Sequence, residues 1–246
     1  MTMTMTNTKI PTLRALSVAA LLGLCAHASA ASIEISATGQ PRSFIVTGHP
    51  ARIAGYGHAM FGMRVDEIMA IVATDFPAGA PSLRDEVEQS TRVRTLTLVV
   101  PELAPGPCPA TINYVFGAAS QRLIAVNIAW QFDGQATTAQ RQSLVDASRT
   151  VGAGFAGSRW PPLRTTRGNV LPDGALIVFS GKDERGAGLE IRLDGVDIDL
   201  APRQKTAAAA VPPEHRIAPP GPARLRVAFV ADTDNPDTYR IPEGAF

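Results

Sequence analysis

The stretch FGMRVDEIMAIVATDFP, residues 61–77, sets apolar side chains at Val65, Ile68, Met69 and Val72. That is the i, i+3, i+4, i+7 spacing of a helix with one buried stripe. Asp66 and Glu67 fall in its first turn, where carboxylates favour the positive end of the helix dipole, and Pro77 stops it. The period then shortens to two. TRVRTLTLVV (91–100) alternates polar and apolar residues and ends at Pro101. TINYVFG places Ile112, Tyr114 and Phe116 on one face. After the turn AASQ, RLIAVNIAW returns with Ile124, Val126, Ile128 and Trp130 on one face, which predicts a hairpin.

The order then restarts. Residues 137–155 read as a second helix with Leu144, Ser148, Val151 and Phe155 on its stripe, weakened near its end by Gly152 and Gly154. ALIVFSG (175–181) and LEIRLDGVDIDL (189–200) form a second hairpin around the glycine-bearing turn KDERGAG, and ARLRVAFVAD (223–232) supplies a further strand. SIEISATG and SFIVTG, ahead of the first helix, read as possible strands. Residues 201–222, rich in Pro and Ala and without period, read as a surface insertion. The pattern predicts an α+β fold of two tandem helix–three-strand repeats, residues 31–136 and 137–246. Both helices would pack on one face of an antiparallel sheet.

FGMRVDEIMAIV resembles the helix that opens small periplasmic and secreted modules of the β-lactamase inhibitory protein and BamE type. Arg64 stands where those modules place a helix-capping Thr. The resemblance covers about a dozen residues together with the order of elements, and it implies a tandem helix-plus-sheet architecture. INYVFGAASQRLIAVNIAW and the ending NPDTYRIPEGAF are similar to uncharacterised secreted proteins of Gram-negative bacteria, a likeness that implies no activity.

The first thirty residues change the compartment. Lys9 and Arg14 precede the apolar run ALSVAALLGLCAHASA, and Ala28-Ser29-Ala30 fits a signal-peptide cleavage site. Cleavage after Ala30 is favoured over lipidation at Cys25, because Leu24 occupies the position where a lipobox needs a small residue. The expectation is a periplasmic or secreted protein without a transmembrane span in the mature chain. Loss of Lys9 and Arg14 lowers the 23 basic residues to 21 against 22 acidic ones. Near-neutrality without a basic block argues against nucleic acid as partner. Cys108 is then the remaining cysteine, so an intramolecular disulfide is excluded. It reads as a structural thiol or, failing that, a bridge between two chains.

Candidate chemistry is sparse. There is no GxSxG, and His49, His58 and His215 are not patterned with a Ser and an acid. DTDNPD (232–237) lacks the Gly and Glu of a calcium loop. The paired carboxylates have no evident desolvating neighbour that would prepare them for acid–base work. No catalytic residue is assigned, no cofactor is expected, and the chain reads as a non-enzyme. The leading expectation is a non-catalytic module that binds another periplasmic or envelope protein through its sheet, with Tyr114, Trp130 and Trp160 as contact rings alongside Phe116. The alternative is a copper-binding protein using His49, His58, Met60 and Met63, since imidazole with thioether is a copper-favouring set. Mass spectrometry of the protein recovered from a periplasmic fraction is expected to find Ala31 as its first residue. A lipidated Cys25 in that position would overturn the assignment.

Overall fold

Residues 48–77, 79–196 and 221–238 are described in the computed structural model of the protein; they belong to one unit, Gln40–Phe246. The leader, the strand readings before residue 48, the end of the second hairpin (197–200), the insertion up to residue 220 and residues 239–246 lie outside the described residues.

A small hairpin, β1 (Gly55–Tyr56) and β2 (Ala59–Met60), precedes helix α1 (Val65–Asp75). Four strands follow: β3 (Arg84–Val87), β4 (Arg94–Val100), β5 (Ala110–Phe116) and β6 (Leu123–Phe132). Helix α2 (Thr138–Ala156) leads to β7 (Thr165–Val170), β8 (Leu176–Lys182), β9 (Gly188–Asp194) and β10 (Ala223–Val230). All eight long strands form one antiparallel sheet in the order β3-β4-β5-β6-β10-β9-β8-β7.

This overturns the reading of two tandem helix–three-strand repeats. Each helix is followed by four strands, and the strands make a single large sheet with two helices rather than two helix-plus-sheet repeats. The unpredicted strands, β3 and β7, are the two edges. Their sequences, RDEV and TTRGNV, are exposed almost throughout and show no apolar alternation. Charged and polar edges discourage pairing with other chains, and for that reason they carry little strand signal. In the centre, β6 and β10 pair from Phe132 opposite Ala223 to Ala125 opposite Val230, fusing the two halves through continuous hydrogen bonds.

One face of the sheet carries the core. Leu96, Leu98, Ile112, Tyr114, Phe116, Val126, Ile128, Trp130, Leu225, Val227, Ile191 and Leu193 join Ile68 and Val72 of α1 and Leu144 of α2 in a single buried cluster. A register shift at Val115/Phe116 turns Leu123 into the core, so Ile124, expected there, is only half-buried. The stripe of α1 is also narrower than predicted. Ile68 and Val72 are fully buried, whereas Met69 is 38% exposed.

The two helix starts differ. Thr137 and Gln140 form a reciprocal capping box, with N–H to oxygen distances of 2.8 and 3.2 Å. At α1, Glu67 accepts the Arg64 N–H at 2.7 Å, but the Arg64 guanidinium has no acceptor to return. Gly152 and Gly154 do not break α2, whose inner face rests on β8, β9 and β10. Arg141, buried on α2, donates to the carbonyl of Gly195 and, at 2.8 Å, to that of Gly221, holding both ends of the connection between β9 and β10.

The packing separates two neighbouring residues of α1 sharply. Ile68→Asp places an unpaired carboxylate in the core and is expected to cost more than about 3 kcal/mol, whereas Met69→Asp costs less than about 1 kcal/mol. Urea unfolding midpoints check this, and equal losses would show that α1 is rotated from the placement described.

Candidate functional site

The face of the sheet turned away from the helices is built by the intervening residues of each strand. Its middle row runs Thr97, Asn113, Asn127, Ala228, Glu190 and Ser180, taken from successive strand pairings. The β4–β6 half is neutral and small, with Thr95, Thr111, Ala125 and Ala129 beside that row. Thr97 donates across the ladder to Asn113 at 2.8 Å.

The β10–β8 half is charged. Arg226 reaches Glu190 at 2.6 Å, Arg224 reaches Asp194 at 3.2 Å, and Arg192 bonds both Asp194 (2.8 Å) and Asp173 (2.7 Å). Hydrogen bonds from the Ala175 N–H and then from Arg192 hold the Asp173 carboxyl below the usual carboxylate range. Partly exposed pairs of this kind add little stability singly. Their effect is to fix long side chains in defined positions.

Where the two halves meet, small residues leave a depression of about 430 Å³ floored by Ala228, Gly188 and Ser180. Arg164, Lys182 and Arg226 stand on its walls with Asn127, Glu190 and Thr233. Lys182 pairs with Asp234, Arg226 pairs with Glu190, and Arg164 donates to the Asp183 carbonyl at 3.3 Å. The depression therefore holds three cations against two carboxylates. The Nε of Arg226 is buried without a hydrogen-bond partner, a donor left over in its wall.

The predicted partner-contact rings do not lie on this face, and that expectation is corrected. Tyr114 is 1% and Trp130 2% exposed, both in the core, and Phe116 lies beside them. Trp160 packs on Phe179 with ring centroids 5.2 Å apart and donates to the Phe155 carbonyl at 3.0 Å. Alternation placed Tyr114 and Trp130 with Ile112 and Ile128, and that shared face is the buried one.

The predicted metal ligands are tied to different neighbours. The His49 carbonyl accepts the Arg159 N–H at 2.8 Å, while the His58 ring lies 2.9 Å from Asp75 at the end of α1. Met60 and Met63 do touch, with the Met60 N–H donating to the Met63 sulfur at 3.3 Å. Among the described residues, no group of three or more His, Cys, Asp or Glu side chains is placed to hold a metal ion. Cys108 is half-buried, and that burial pushes its thiol above the usual range, towards the unreactive protonated form.

Sequence reasoning missed Asp183, which stood as one polar residue of the KDERGAG turn. It is 1% exposed and accepts three backbone N–H groups, from Arg185 (2.8 Å), Ala187 (3.0 Å) and Ile53 (3.0 Å). The last bond spans 130 residues and pins the segment before β1 against the sheet. No local signal announces such a contact.

Comparison with protein-family models, curated proteins and solved structures finds no match for this chain.

The core position of Tyr114 has a consequence for pH. Burial pushes its phenol above the ordinary value of 10.0. The folded state therefore holds a proton that the unfolded chain releases. Stability from this group is complete below about pH 10 and falls above it by up to about 1.4 kcal/mol per pH unit. Melting temperatures between pH 9 and 11 are expected to decline less steeply in Tyr114→Phe than in the unmodified protein. An unchanged slope would show that the phenol is solvated.

Proposed function

We propose that this chain is an exported, non-catalytic binding module that engages another periplasmic or envelope protein through the open face of its sheet. One observation carries the reading: among the described residues, a broad face of the eight-stranded sheet has no helix over it. Its charged side chains are already ordered by mutual ion pairs. Binding therefore requires little further loss of side-chain freedom. The neutral half offers Thr and Asn hydrogen-bonding groups at a close-packed spacing. The charged half offers the depression with its excess of cations.

An acidic projection of a folded partner suits that depression, because the Arg164 guanidinium bonds a carbonyl and no carboxylate among the described residues. Charge complementarity of this kind steers encounter and sets register more than it adds raw affinity. Export is supported by the leader pattern of the sequence. No helix among the described residues is long and apolar enough to cross a membrane.

A photo-reactive residue placed at Asn127, on the open face, is expected to capture a discrete partner in the cell envelope, and one placed at Met69 on α1 is not. Arg226→Glu should reduce the capture at Asn127 at least tenfold without moving the melting temperature by more than a few degrees. Equal capture from both positions, or none from Asn127, would remove the open face as the binding surface.

A further inference from the structure

The helix-side face holds a second cavity, of about 420 Å³, and its construction differs from that of the open face. Its floor is Ile128 and Trp130 of β6 with Val227 and Phe229 of β10. Phe155 and Gly154 of α2 form one wall, and residues 52–57, including Tyr56, form another. The Phe229 ring lies 5.7 Å from Tyr56 and 6.1 Å from Phe155, centroid to centroid. Four aromatic side chains thus surround one space.

The space opens to solvent on the α2 side, where Gly154 is exposed in the last turn of the helix and contributes no side chain to the wall. A Cβ added at Gly154 would meet nothing within 4 Å, so the position has room for a side chain and has none. At the rim stands Arg52, exposed and without an ion pair among the described residues. Burial and the nearby Asp75 carboxylate push the Tyr56 phenol above its usual range, which keeps it a neutral hydrogen-bond donor.

We propose that this cavity binds a small aromatic anion, its ring seated among Trp130, Phe229, Phe155 and Tyr56 and its carboxylate or sulfonate at Arg52. The volume is that of an ordinary small-molecule pocket, and few, localised polar groups in an apolar lining are what such pockets use to fix orientation. Ring edges meeting ring faces favour an aromatic guest over an aliphatic one of equal size. The unpaired guanidinium supplies the charge preference. This site is on the opposite face from the partner surface, so the two stand or fall separately.

Titration of the mature protein with 1-anilinonaphthalene-8-sulfonate, an aromatic anion, tests the assignment. Saturable binding at one site is expected, with quenching of Trp130 emission by energy transfer to the probe. Gly154→Leu fills the open space and should weaken binding more than tenfold, with the melting temperature unchanged or raised. Arg52→Gln, an exposed change, should weaken it about tenfold and abolish its salt dependence, in line with loss of one charge-assisted contact. The uncharged probe N-phenyl-1-naphthylamine should bind more weakly than the anion and should not respond to Arg52→Gln. An unmodified protein that does not take up the sulfonate, or a Gly154→Leu protein that binds it undiminished, overturns the site. Equal affinity for the two probes overturns the anion preference.

Discussion

The antiparallel pairing of β6 with β10 is the contact on which the rest of the molecule depends. Without it, β3–β6 and β7–β10 would each expose a long central strand with unpaired backbone groups, a state that sheets avoid. With it, the central strands of the two halves become neighbours, and the apolar residues of both halves merge into one cluster. The same pairing decides where both candidate surfaces lie. Asn127 and Ala228 look out from it, and Ile128 and Val227 look in.

Two buried polar groups keep the pairing in register with its surroundings. Arg141 ties α2 to Gly195 and Gly221, so the start of β10 is fixed however the intervening residues run. Hydrogen bonds from a charged group to a carbonyl are each worth roughly 1.5–3 kcal/mol, which makes this clamp a stronger constraint than the exposed ion pairs. Asp183 does the corresponding work for the segment before β1, binding the Ile53 N–H while also organising its own turn. A carboxylate that accepts several backbone N–H groups satisfies donors that would otherwise be buried unpaired. Both groups bridge elements far apart in the chain.

That distance explains what the sequence revealed and what it withheld. Helices α1 and α2 and strands β4, β5, β6, β8, β9 and β10 were legible because each buries one face, so hydrophobic period reports them directly. The edges β3 and β7 bury neither face fully and left no such trace, and their omission is what made three-strand repeats look complete. Finer errors have local causes. The shift at Val115/Phe116 exchanges Leu123 for Ile124 in the core and leaves the inward positions Val126, Ile128 and Trp130 as the alternation has them. Tyr114 and Trp130 were assigned to a binding surface on residue type, although their alternation with Ile112 and Ile128 already pointed inward. The depression on the open face and the cavity behind it combine residues from separate strands, α2 and the 52–57 segment. No window of sequence contains either.

The two surfaces share strands, yet the geometry argues that they act independently. Coupling between sites requires an element with two arrangements whose balance each ligand shifts. Neighbouring residues of β6 and β10 floor both spaces, but the pairing between these strands is uninterrupted from Ala125 to Phe132. The register irregularities of the sheet lie elsewhere, at Val115/Phe116 and Ile177/Phe179. A continuous central ladder, hydrogen-bonded on both sides and packed under α2, has no second register that keeps its core residues buried. Slippage by one residue would turn Ile128, Trp130, Val227 and Phe229 to the open face, at the loss of roughly 1.5–3 kcal/mol for each large side chain exposed. The central pairing thus offers no register shift by which one side of the sheet would be read from the other.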